Sequence, residues 1–423
     1  MKSYIPAGAG EKMQYIVHPF NDNTIRFVLR YPGHLQADAL KQAALALAES
    51  VDVLHSSFDA GRFGARWRIN AIRAEDCFRM TETDRDPVNI GLEQALESVS
   101  PSSPAQIRCV LVQGRQESAV VLLVSHLCAD GGDGKYLLKK LCEAYDLFLR
   151  DGSCSALHIK NGSRSVGQVY SGLSSKDMLR ILKDPRSRIK CRFPYPSGET
   201  GEPAVTAQRI SSDVMAAAHA KAKNMGATVN DLILTACYHA YAEMTGMRSP
   251  VSIMGMMDLR KNCPGGDSQG LCNLSGALST EFPDGIGESF NETLLSVAAQ
   301  TRRIKQDPFS GLYGMPLLHT AAKRLPMGIL LAVSKRLYGS MSLGMTNIGN
   351  IAGSDLGMGG LIPGEGWFGG PVKKKPGLQI SAASFDGACS LCVWGYAAEE
   401  DRQEINKLLE SAAGHIRSFG SNA

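Results

Sequence analysis

No stretch of this 423-residue chain approaches the ~20 consecutive apolar residues that a spanning helix needs. The longest apolar run, Leu325–Val333, falls far short, and Lys323, Arg324, Lys335 and Arg336 flank it. It reads as a buried helix with snorkelling ends, with a membrane-surface contact as the alternative. Residues 1–13 lack the charged-then-apolar order of a secretory signal. Charge of one sign is also lacking. Forty-five Lys and Arg against 41 Asp and Glu leave +4, spread along the chain, which gives no electrostatic case for nucleic acid. A cysteine framework is missing too. The 11 cysteines are irregularly spaced, and Cys109, Cys128, Cys142 and Cys237 sit in apolar runs, as reduced thiols of a cytosolic protein do. Cys389 and Cys392 form a C-x-x-C, but inside a strand pattern that turns them to opposite faces, so they cannot grip one metal. A phosphate loop is absent: Gly134-Lys135 is followed by Tyr136, without the upstream glycine.

What remains is a folded chain with 44% hydrophobic and 20% charged residues, long enough for two domains. Two blocks of alternating strand and helix patterns flank a polar connector. In the first, Thr24–Tyr31 and Arg66–Ile72 read as strands and Ala37–Ser50 as a helix. Ile107–Val112 and Ala119–Val124 form a hairpin, and a long amphipathic helix runs from about Gly134 to Arg150. The connector is rich in Ser, Gly, Pro, Lys and Arg, with a short helix at Ser175–Leu182. In the second block Val205–Ile210, Val251–Met257, Leu274–Phe282, Leu378–Phe385 and Ser390–Ala397 read as strands. Asp213–Lys223, a helix opened by a Thr228/Asp231 capping box, Ser289–Lys305 and Asp401–Ser418 read as helices. The expected class is α/β (α+β), with two layered lobes: 1–160, a connector 161–202, and 203–423.

The strongest local feature is the run from Val121 to Gly134, in which a buried strand ends at Ser125, His126 follows at once, and Asp130-Gly131-Gly132 leads into a helix. Active groups in α/β folds sit where strand ends face helix starts. A neutral histidine there can take a proton from an amine or hydroxyl, and the positive end of the next helix disfavours imidazolium. A carboxylate at the bend can pair with a cation, and the glycines permit a tight turn beside a substrate.

The motif H-x-x-x-D-G, here His126 to Gly131, resembles that of the coenzyme-A-dependent acyltransferase superfamily. That group includes nonribosomal-peptide condensation domains, alcohol acyltransferases and wax-ester synthases. Further segments resemble it in order: Leu40–Phe58, Thr228-Val-Asn-Asp231, Asp258-Leu-Arg260, Thr346-Asn347-Ile-Gly349 and Ser384-Phe-Asp-Gly387. The resemblance implies two chloramphenicol-acetyltransferase-like lobes around a central cleft. It implies an acyl thioester on coenzyme A or a carrier-protein phosphopantetheine as co-substrate, with no resident cofactor or metal. The acceptor would be a small amine or alcohol, and the enzyme a cytoplasmic monomer. His126 would be the general base, Asp130 a structural partner of Arg260, and Gly131 a shaper of the loop beside the thioester. Asn347 would lie near the acyl carbonyl or acceptor. Asp231 would be structural, and Gly132, Thr346 and Ser384 would contact substrate. Two departures stand out: Ser125 replaces the first histidine of the H-H form, and Gly364–Gly370 only loosely matches D-F-G-W-G.

Two other readings compete. Gly266-Asp-Ser268-Gln-Gly270 fits the serine-hydrolase G-x-S-x-G, but Pro264-Gly-Gly precedes it where a strand is required. A non-catalytic relative binding a carrier protein or small molecule is the other. Lys373–Lys375 reads as a solvated loop, with a donor's phosphates or an acidic carrier as the alternative contact.

Overall fold

The computed structural model describes residues 3–61, 64–183, 189–338 and 343–421. Residues 184–188 of the connector therefore lie outside it. The chain forms mixed α/β layers around three sheets. The first large sheet has five strands, in spatial order Glu365–Gly369, Thr24–Tyr31, Ser118–Ser125, Ile107–Gln113 and Phe78–Glu82. The second has six: Ser275–Phe282, Val251–Asp258, Gly344–Ile351, Gln379–Phe385, Ala388–Ala397 and Glu202–Ile210. A small sheet joins Tyr4–Pro6, Arg66–Ile69 and Ser56–Asp59.

Each large sheet buries one face under helices whose apolar residues repeat at helical spacing. Leu40, Ala44 and Leu47 of the helix Ala37–Glu49 meet Leu137, Leu141 and Tyr145 of the helix Gly131–Asp151 in the first core. In the second, the helices Val229–Thr245 and Glu399–Ser421 cover the sheet with Leu232, Ala236, Leu408 and Ile416. A third apolar cluster lies between the lobes. Val28, Val110, Val121 and Leu123 of the first sheet's other face meet Val372, Cys392 and Trp394. Cys389 points into the second core and Cys392 into this seam, which is the face-to-face alternation expected of the C-x-x-C strand. None of the eleven cysteines is held in a disulfide, and all but Cys154 are buried.

One connection crosses the sequence boundary between the halves. Glu365–Gly369, inside the segment assigned to the second lobe, pairs antiparallel with Thr24–Tyr31 and edges the first sheet. Gly369 is required there, because a Cβ would lie 2.5 Å from the Trp394 ring. Beside it, Arg26 is fully buried, bonds to the carbonyls of Ala95 and Gly370, pairs with Asp22, and stacks 5.3 Å from the Trp394 ring.

Two expectations fail here. The apolar run around Leu325–Val333 belongs to the helix Met327–Tyr338, which is not buried: Ile329 and Val333 are each 50% exposed. Only Leu330, Ser334 and Tyr338 of that helix turn inward. The three lysines are not a solvated loop either. Lys374 bonds to the Pro19 carbonyl, and Lys375 pairs with buried Asp401 and bonds to the Ser197 carbonyl. The backbone of Lys373 bridges to Asn21 and Gly395. The run threads between the lobes, where each ammonium meets an acceptor or a cavity.

Candidate active site

His126 follows the last residue of the strand Ser118–Ser125, and its N–H donates to the Asn23 carbonyl at 2.7 Å. The glycine-rich bend is itself the first turn of the helix Gly131–Asp151. Asp130 is its N-cap, with Oδ1 accepting from the Asp133 N–H at 3.0 Å. The helix therefore starts three residues earlier than the apolar periodicity implies.

Asp130 is fully buried. Arg260, just past the strand Val251–Asp258, reaches it from the second lobe in a bidentate pair of 3.0 and 2.9 Å. The Leu274 N–H donates to the same carboxylate at 2.8 Å. Asp133 joins the cluster 2.9 Å from Arg260 and 2.8 Å from Lys160. Burial, then the neighbouring Asp130, pushes the Asp133 carboxyl up against the pull of Arg260 and Lys160. Desolvation opposes the charge on Arg260, yet Asp130 and Asp133 hold its guanidinium above the usual range. Gly132 makes room for that fork: a Cβ there would lie 2.9 Å from Arg260 Nη1. Its place in the site is thus explained by Arg260, although it also lines the smaller of the two cavities at the lobe junction.

Two adjoining cavities meet at the lobe junction. The first, of about 250 Å³, is lined by Ile25, His126, Gly131 and Phe368 from the first lobe's sheet and helix, and by Met254, Met256, Ser275, Thr346 and Gln379 from the second. The other, of about 150 Å³, lies on the Asp130, Gly132, Lys135 and Arg260 side. Gly131, Met256, Ser275, Thr346 and Phe368 line both, and His126 lines the larger.

His126 Nδ1 lies 2.8 Å from the Asn273 amide nitrogen. Desolvation lowers the His126 pKa below its ordinary value; Asp130 and the carbonyls of His126 and Ala129 oppose this, and the charge of Lys373 adds to it. Lys373 lines the same cavity, and burial pushes its ammonium down to about 8 against the pull of Asp22. Neither Asn273 nor Lys373 is singled out by a sequence motif. Asn273 is the last residue but one before the strand Ser275–Phe282, where its side chain returns toward the His126 turn.

The other expected residues divide. Thr346 faces the His126 cavity. Asn347, one residue on along the same strand, lines the smaller, Arg260-side cavity together with Thr346; it bonds to Asn230 and to the Gly349 N–H and also lines a third cavity with Leu234, Met257 and Leu278. Asp231 closes the capping box with Thr228 and bonds to Thr301, a purely structural arrangement away from these cavities. Ser384 lines none of them; on its strand, Gln379 reaches the His126 cavity instead. Ser268 bonds to Lys160 and Asp267 in a loop after the short 3-10 turn Pro264–Gly266, so the strand a nucleophile elbow needs is missing. Among the described residues no group of three or more His, Cys, Asp or Glu could hold a metal ion.

No protein-family model matches the chain, and no curated protein does. Solved structures do. Polyketide synthase associated protein 5 from Mycobacterium tuberculosis superposes with a TM-score of 0.69 at 16% identity, over 99% of this chain and 98% of that one. The first condensation domain of the calcium-dependent antibiotic synthetase gives 0.69 at 16%, over 99% and 97%. A trichothecene 15-O-acetyltransferase from Fusarium sporotrichioides gives 0.71 at 13%, over 98% and 95%. The likeness spans nearly the whole of each chain, and this chain therefore shares the two-lobed fold of these three proteins.

Proposed function

We propose that the protein is an acyltransferase that moves an acyl group from a thioester, on coenzyme A or a carrier-protein phosphopantetheine, to an amine or hydroxyl. The observation that carries this reading is a desolvated histidine with a lowered pKa, lining the larger of two adjoining cavities between the lobes. Donor and acceptor enter from opposite sides. The acceptor's nitrogen or oxygen attacks the thioester carbon while its proton passes to His126 Nε2. The tetrahedral intermediate then expels the thiolate, which takes the proton back from the imidazolium. The products are an amide or ester and a free thiol. Holding both reactants in line supplies much of the rate.

With Nδ1 engaged by Asn273, Nε2 is the nitrogen left for the acceptor. Base catalysis requires its lone pair, hence a proton on Nδ1; the Asn273 amide, whose nitrogen faces Nδ1 and whose oxygen accepts from the Ser275 N–H at 3.3 Å, must turn over to accept that proton. Arg260 and Asp130 act at a distance: they fix the turn carrying His126 against the second lobe.

The test is thiol release from a panel of acyl-coenzyme A donors and a loaded carrier protein, each with pooled amines and alcohols. General-base help is worth about 10²–10⁴-fold, so His126→Ala is expected to slow turnover by that factor. Near-wild-type turnover in a folded His126→Ala protein, or its loss in Ser268→Ala alone, defeats the reading.

A further inference from the structure

The helices Met315–Arg324 and Met327–Tyr338 are consecutive, joined by Leu325 and Pro326. Their inward residues anchor them firmly. Ser334 donates to the Ile16 carbonyl at 2.9 Å, and the Tyr338 ring stacks 4.2 Å from Phe20. Pro316, His319 and Ala322 are buried on the first helix. Their outward residues carry large aliphatic side chains. Leu317 is 55% exposed, Leu337 60%, and Leu318, Leu325, Ile329 and Val333 at least 40%. Ile329, Val333 and Leu337 fall at i, i+4 and i+8, one face of the second helix. Single exposed aliphatics need no explanation, but a set of six, five on two touching helices and Leu325 in the joint between them, does.

The charge beside this face has one sign. Lys323, Arg324, Lys335 and Arg336 are all exposed, and no Asp or Glu occurs between Asp307 and Asp355. In a chain whose total is only +4, this segment is a local concentration. Neither helix is long and apolar enough to cross a membrane. Aliphatic residues on the outer face with lysine and arginine alongside are the composition of a helix that lies in the headgroup layer.

We propose that this helical pair docks the protein on an anionic lipid surface. The aliphatic face enters the acyl boundary and the four basic side chains meet lipid phosphates. An acidic protein partner fits less well, because the exposed large residues offer hydrocarbon and no hydrogen-bonding groups. The inference rests on this surface alone and not on the transfer chemistry. It has a geometric consequence for the site, since Tyr338, at the end of the docked helix, lines the His126 cavity.

The experiment is co-sedimentation of the full chain with phosphatidylcholine–phosphatidylglycerol vesicles and with phosphatidylcholine vesicles alone. Binding is expected to the mixed vesicles, weaker to the neutral ones, and weaker again as salt is raised. Ile329→Asp with Val333→Asp is expected to weaken binding to both by at least about tenfold. Lys335→Glu with Arg336→Glu is expected to weaken only the anionic component, also by at least about tenfold. Melting temperatures stay at the wild-type value, because the substituted side chains face water. Three results overturn the proposal: wild-type protein left in the supernatant with mixed vesicles, equal binding by wild type and both variants, or loss in the variants of binding to an acidic carrier protein without any vesicle binding.

Discussion

Replacing Arg260 by methionine removes the cation that bridges Asp130 and Asp133. In the wild type its guanidinium makes two bonds of 2.9–3.0 Å to a carboxylate with no solvent exposure, and Asp133 stands 2.9 Å away. Methionine fills much of the space without charge, so the cost is mainly electrostatic. Asp130 keeps the N–H groups of Asp133 and Leu274, and Asp133 keeps Lys160, but two adjacent buried carboxylates lose their shared partner. Breaking a buried pair in this way costs about 3–5 kcal/mol. With an unfolding entropy of about 2.1 cal/mol/K per residue, a cooperative unit of this length loses about 3–6 °C in melting temperature. Calorimetry on Arg260→Met, Asp130→Asn and the double variant measures the coupling, expected at about 1–3 kcal/mol. The pH dependence has a fixed sign. A carboxylate whose folded pKa lies above its unfolded value holds more protons when folded, so the variant regains stability as pH falls and loses it as pH rises. Unchanged melting, strictly additive effects, or a deficit that grows on acidification each refute the cross-lobe lock.

Other perturbations test the groups around His126. Because its pKa is lowered, the acid limb of kcat/KM is expected below pH 6.5; a limb above that value contradicts the desolvated setting. Lys373→Met removes a nearby positive charge, so the limb should move to higher pH, with stability unchanged or improved. A limb that stays put or moves down refutes the coupling. Asn273→Asp offers Nδ1–H a charged acceptor and should also raise the limb while preserving turnover above it, whereas Asn273→Leu should cut kcat more than it raises KM. Equal effects of the two substitutions argue against a role in setting the tautomer. Gly132→Ala should reproduce part of the Arg260→Met instability, because its Cβ needs the space of Nη1; a melting temperature equal to wild type would show that the fork can shift freely.

The parts of the site legible in the sequence are those that chain order itself places. His126 follows a strand and Asp130 caps the helix after it, so spacing and periodicity suffice. The Thr228/Asp231 box is local in the same sense. Residues fixed by distant chain are a different matter. Asn273 looks like any polar residue before a strand until Leu274 folds onto Asp130 and carries it to the His126 turn. Lys373 belongs to a lysine run that composition assigns to solvent; only the crossing of the segment between lobes buries it. Asn347 shares its motif with Thr346, and both line the Arg260-side cavity, but a motif does not state that Thr346 alone of the two also lines the His126 cavity. The helix Met327–Tyr338 shows the converse: an apolar run predicts burial, and here half of its bulk faces outward.

The strand Glu365–Gly369 also constrains how this chain can be made. Thr24–Tyr31 waits for a neighbour that the ribosome delivers more than three hundred residues later, and Arg26 waits for the Gly370 carbonyl 344 positions away. At about 5–20 residues per second, that is roughly 17–70 s of synthesis. During this interval the first sheet has an unsatisfied hydrogen-bonding edge next to a row of valines and leucines, the kind of edge that recruits other chains. Expression yield, and the need for a chaperone that shields nascent edges, should therefore depend on the strand near residue 367.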